Sequence, residues 1–142
     1  AFTPEWLADG GRAYAEKHEL DPFDAIRLVK AAGGVTVFAH PAAAQRGKVV
    51  PESAIAELAA AGLDGIEVDH PEQLAYAPES GPRLRGLAAD LGLLVAGSSD
   101  YHGTRKTCVL GEYTTDPEIY GEITRRATGA FPVPGAGGGP SA

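Results

Sequence analysis

The chain has 142 residues, 12 basic against 19 acidic side chains and a formal charge of −7. That length suits one ordinary domain, and 44% hydrophobic with 22% charged residues describes a globular chain, neither disordered nor fibrous. No apolar run approaches the roughly 20 residues of a membrane helix, no signal-peptide pattern opens the chain, and the acidic balance argues against a generic duplex-DNA binder.

Residues 1–20 mix aromatics, charges and a Gly-Gly step without a clean period, which predicts a short helix and a connector. From Asp21 the signals sharpen. Asp21 is placed as an N-cap, Pro22 at the first helical position and Asp24 in the first turn. Phe23, Ile26 and Val29 recur every three residues as the inward face, and Ala-Ala-Gly-Gly closes the helix. VTVFAHP then reads as a buried strand ending at His40. The pattern repeats: Pro51 opens a helix with Ile55 and Leu58 on one face, and GIEVDHP is a strand ending near His70. Ser80-Gly-Pro82 starts a helix with Leu84, Leu87 and Leu91 inward, and LLVAGSSD is a strand ending at Asp100. A further helix starts at Thr115-Asp116-Pro117 and carries Ile119 and Ile123; the Gly/Pro-rich stretch 128–142 is expected to be disordered.

His40, His70 and Asp100 thus lie thirty residues apart, each just after a strand. Three helix–strand units of that length predict an α/β architecture with parallel strands, as a sheet or a barrel. In such folds ligands gather at the C-terminal ends of the strands, where all three residues fall. A site is therefore expected there from periodicity alone.

The residue types suggest its chemistry. Asp100 and His102 in SSDYHG are spaced to share a metal ion, or to bridge two, with Gly103 permitting a tight turn. Alone, Asp100 could equally cap a turn and His40 could simply bond a neighbouring loop; three such residues on neighbouring strand ends favour a metal site. Along GIEVDH, Glu67 and Asp69 share one face and Val68 and His70 the other, so both sets cannot reach a site unless the strand has ended by Asp69. His70 is a candidate for metal, for substrate, or for neither. Arg46 and Lys48 follow His40, and Arg105 and Lys106 follow His102, so positive charge is expected at this end despite the acidic total. With metal ions that charge would suit a phosphate ester. His18 is read as structural or exposed. The lone cysteine, Cys108, rules out an intramolecular disulfide, fits a reducing cytoplasm and is read as a passive thiol.

Taken together, GGVTVFAHP, GLDGIEVDHP, LGLLVAGSSDYHG and LGEYTT resemble the C-terminal half of a PHP-domain phosphoesterase, of the polymerase and histidinol phosphatase superfamily. Within it, the resemblance is to bacterial proteins that hydrolyse nucleoside 3',5'-bisphosphates and trim short RNAs from the 5' end. It covers roughly residues 2–127, with SDxHG its most specific motif. The resemblance implies a distorted (β/α)7 barrel holding two or three divalent ions, whether manganese, zinc or iron. It implies His40, Asp100 and His102 as metal ligands, and a metal-bound hydroxide attacking phosphorus. On this reading Asp100 and His102 carry the catalysis, while His70, Arg46 and Lys106 contact substrate. Cys108 and Tyr113 stand where relatives commonly carry asparagine.

One departure is large. The family's opening H-x-H strand is absent from this sequence, which has only four histidines and no methionine. The expected organisation is a connector (1–20), the C-terminal half of the barrel (21–127) and a tail (128–142). Its partner would be the N-terminal half of the barrel, in cis or in trans, and the chain alone is expected to catalyse poorly. The competing expectations are a histidinol-phosphate phosphatase, an amidohydrolase-like barrel (disfavoured by the SDxH pair), and a non-catalytic split or degenerate half-domain.

Overall fold

A computed structural model describes residues 4–7, 10–15, 18–44, 49–103, 107–129 and 131–132. Six helices are described: α1 (Pro4–Leu7), α2 (Pro22–Ala31), α3 (Glu52–Ala60), α4 (Pro71–Tyr76), α5 (Ser80–Leu91) and α6 (Pro117–Arg126). They alternate with three strands, β1 (Val37–Phe38), β2 (Gly65–Asp69) and β3 (Leu94–Gly97), which form one parallel sheet in the order β1-β2-β3. This is the expected α/β arrangement of parallel strands alternating with helices.

Local chemistry sets the helix ends. The Asp21 carboxylate accepts from the backbone N–H groups of Phe23 (2.9 Å) and Asp24 (3.4 Å), and Asp116 accepts from Glu118 (2.8 Å). In both helices proline occupies the next position, where a missing N–H costs nothing. Helix α5 ends on Gly92 at φ 67°, a left-handed cap that a side chain would resist. The core lies on one face of the sheet, where Ile66 and Val68 of β2 meet Ile55 and Leu58 of α3 and Leu84 and Ala88 of α5. A fully buried side chain of the Ile55 or Leu84 type contributes about 1.5–3 kcal/mol.

At the opposite end of the sheet from the candidate site, Asp64 ties three elements together. Its carboxylate accepts from the backbone N–H and hydroxyl of Thr36 (both 3.0 Å) and from Lys30 Nζ (2.9 Å), with Arg126 at 3.7 Å. Burial works to raise the Asp64 pKa, but the bonds from Thr36 and Lys30 outweigh it, and the carboxyl is held below its ordinary value.

Several expectations are corrected. The strand expected to reach His40 stops at Phe38, and the one expected to reach Asp100 stops at Gly97. Both His40 (φ 32°) and Asp100 (φ 48°) sit in left-handed backbone that cannot continue a ladder. Helix α4, starting one residue after His70, was not anticipated because its six residues are too few to show a period. Of the expected inward face of α2, only Ile26 is buried, while Phe23 and Val29 are 44% and 39% exposed. They line an apolar groove of about 590 Å³ with Val37, Phe38, Val50 and Leu58. The stretch 128–142 lies mostly outside the described residues; Thr128 and Gly129, within them, donate to Gly33 O (2.8 and 3.1 Å). No described helix is long and apolar enough to cross a membrane.

Candidate metal centre

The C-terminal ends of the three strands bring together His40, Glu67, His70, Asp100 and His102. An irregularity in β2 makes this possible. Glu67 pairs with Ala96, yet Asp69, two residues on, pairs with the very next residue, Gly97. The extra residue is a β-bulge, and it restarts the side-chain alternation. Asp69 is thereby turned to the helix face, where both carboxylate oxygens accept from Arg85 of α5 at 2.6 Å. His70 returns to the face of Glu67. The conflict of parity in GIEVDH is resolved by the bulge, which periodicity could not reveal.

The contacts are short. The rings of His40 and His70 lie 4.9 Å apart between centroids, tilted by 54°. Asp100 stands between two imidazoles, with Oδ2 3.6 Å from His70 Nε2 and Oδ1 2.9 Å from His102 Nε2. The His40 N–H donates to Glu67 Oε2 at 2.9 Å, holding the left-handed turn at that residue. Burial, with the neighbouring His40, lowers the His70 pKa below its ordinary value against the upward pull of Glu67, Asp100 and Glu72, which favours the neutral ring. Neutral imidazole is the form that binds metals.

The Asp100 turn is braced from the following loop. Ser98 Oγ accepts from the Asp100 N–H (3.2 Å), and the Cys108 thiol donates to Asp100 O (3.4 Å). Buried Ser99 donates to Tyr113 O (3.0 Å) and accepts from the N–H groups of Gly111 (3.0 Å) and Tyr113 (3.2 Å). Cys108 is therefore a buried brace. The side chain of His102 is 61% exposed and that of Asp100 only 21%, so the histidine stands at the mouth and the carboxylate within it.

Each expected site residue can now be placed. His40, Asp100 and His102 converge with His70. His70 is buried, at 1% exposure, beside Asp100. Arg46, Lys48, Arg105 and Lys106 lie outside the described residues. Glu67 joins the site without having been expected there; the acidic residue inside an otherwise apolar strand was its signal. The donors fit a divalent ion by type, three imidazoles and a carboxylate. The Nδ1 of His70 is buried with no hydrogen-bond partner among the described residues, as expected of an atom reserved for another donor or ion. The set is open, however: among the described residues no three such side chains are arranged to hold an ion by themselves.

No protein-family model matches the chain. Over 95 residues it is 34% identical to the phosphoribosyl 1,2-cyclic phosphate 1,2-diphosphodiesterase of Eggerthella lenta, covering 67% of this chain and 33% of that protein. A protein of Bifidobacterium adolescentis described as a metal-dependent phosphoesterase superposes with a TM-score of 0.75 at 37% identity, over 83% of this chain and 41% of its own. An amidohydrolase of Chromobacterium violaceum, solved with bound sulfate and no metal, gives a TM-score of 0.58 at 26% identity, over 82% and 41%. The chain thus spans about a third of the curated relative and about two fifths of each solved structure.

Proposed function

We propose that the chain, which spans a part of the metal-dependent phosphoesterases it is similar to, belongs with the PHP-type enzymes and forms one wall of a phosphate-ester-hydrolysing site. The observation that carries this reading is Asp100 set between His70 and His102 at the mouth of the parallel sheet. His40, Asp100 and His102 would hold divalent ions. A bound ion supplies Lewis-acid polarisation of the phosphoryl group and lowers the pKa of the attacking water. Asp100 offers a carboxylate oxygen to orient that water and accept its proton. Buried His70 would back Asp100, its Nε2 3.6 Å from Oδ2. Exposed His102 orients the phosphate, with Arg46 and Lys106 as the cations that meet its charge.

The remaining ligands and walls would come from the other half of the barrel, in cis or in trans. The coverage of 41% of each solved relative supports this. So does β1, which among the described residues pairs only with β2 and so has one unpaired edge beside the apolar groove. For substrate we propose nucleotide phosphate esters, either nucleoside 3',5'-bisphosphates or short RNA 5' ends. The name of the Eggerthella lenta relative favours a second reading, a phosphoribosyl cyclic phosphate.

The test joins this chain to the N-terminal segment of a PHP relative and measures phosphate release with manganese. The substrates are adenosine 3',5'-bisphosphate, phosphoribosyl 1,2-cyclic phosphate and histidinol phosphate. Hydrolysis should vanish with a chelator and fall about 100-fold or more in Asp100→Asn. Hydrolysis that survives both changes would remove the proposal, and the preferred ester decides among the three substrates.

A further inference from the structure

The backbone ladder between β1 and β2 ends early. Val37 pairs with Gly65 and Phe38 with Ile66, and among the described residues no rung follows. Yet His40, two residues beyond the last rung, must stand against His70 in a left-handed turn that costs a non-glycine residue about 1–2 kcal/mol. Such a conformation persists only where its surroundings over-determine it.

Two side chains replace the missing rungs. One is Glu67, which accepts the His40 N–H. The other is Gln73 of α4, which has 0% exposure. Its Oε1 accepts from Ala42 N at 2.8 Å, and its Nε2 donates to Val68 O at 2.7 Å and more weakly to Glu67 O at 3.4 Å. Ala42 lies two residues after His40, and Val68 two residues before His70. A single amide therefore ties the exit of β1 to the exit of β2, reading one donor on the first and acceptors on the second. A carboxylate could not do both, and a hydrocarbon could do neither.

We propose that Gln73 is a positioning residue that holds the His40 and His70 rings in their shared geometry and so sets the metal affinity of the site. The inference rests on the metal-site reading above, but its first readout does not. Gln73→Met keeps the length and volume of the side chain and removes all three bonds. In the metal-free chain, the imidazole NMR signals of His40 and His70 should lose the mutual ring-current shifts that exposed His18 lacks. Zinc affinity by calorimetry should fall about 10–100-fold, the usual cost of removing a group that orients ligands. Leu58→Ala, in the core on α3, serves as a control of matched or greater destabilisation, and it should leave both readouts unchanged. Should Gln73→Met fail to fold, Gln73→Glu, which keeps an acceptor for Ala42, is read in the same way.

Unchanged histidine signals overturn the proposal, as does an equal loss of zinc affinity in Leu58→Ala. If the wild-type chain binds no zinc, the metal-site reading fails for this chain and the link to affinity fails with it. The histidine signals still decide whether Gln73 positions the rings.

Discussion

Two residues show how differently one side-chain type can be used within this chain. Asp100 is held partly exposed between imidazoles, on backbone that is strained for any residue but glycine. Asp64 is 7% exposed and fully engaged by Thr36 and Lys30, far from that mouth. Asp64 therefore reports on stability. Its folded pKa lies below the unfolded value of about 3.9, so the unfolded chain takes up the proton first as pH falls. Its contribution is complete above the unfolded pKa and is lost as pH drops through the folded one. Asp64→Asn should cost about 2 kcal/mol at pH 7. In urea melts the gap from wild type should narrow below about pH 4; a gap that stays constant down to pH 3 would show that the charge is immaterial.

At the scale of elements, the bulge in β2 and the close approach beside it shape the site. Gly97 faces the bulge, and a Cβ there would lie 2.5 Å from Thr114 O and 2.9 Å from Asp69 Cβ. Neither neighbour is the free end of a flexible side chain. Gly97→Ala should destabilise by about 1–3 kcal/mol, and by displacing Asp69 it should loosen the ion pair with Arg85. Denaturant melts of Gly97→Ala against Gly86→Ala make the comparison, since a Cβ at Gly86 meets nothing within 4 Å. Equal melts would dismiss the close approach. Helix α2 makes a different point. Its spacing was legible in the sequence, but spacing gives the direction of a face and not whether anything covers it. Phe23 and Val29 stay largely exposed beside the β1 edge, a surface prone to association. Phe23→Asp should therefore leave the helical circular dichroism unchanged and reduce light scattering of the concentrated chain. Loss of the fold instead would place Phe23 in the core.

For the whole molecule, the sheet divides the labour. Its helix-covered face, built on Ile66, Val68, Leu84 and Ala88, supplies the cohesion, while the ends of its strands gather the polar side chains of the proposed site. The three repeating units each deliver at least one polar residue to the same mouth, so no single unit owns the site. The span of about two fifths of the solved relatives and the open donor set among the described residues fit together.

The order of helices and strands apart from α4, the caps at Asp21 and Asp116 and the thirty-residue recurrence of His40, His70 and Asp100 could all be read from the chain itself. They arise from interactions between residues close in sequence, through hydrogen bonds within a turn and the periods of helix and strand. Other features were decided only by the tertiary structure. The bulge depends on how β2 registers against β3, the burial of His70 depends on what packs over it, and the amide of Gln73 acts on a backbone 31 residues away. None of these leaves a local periodic trace, because each is a contact between segments that the sequence keeps apart.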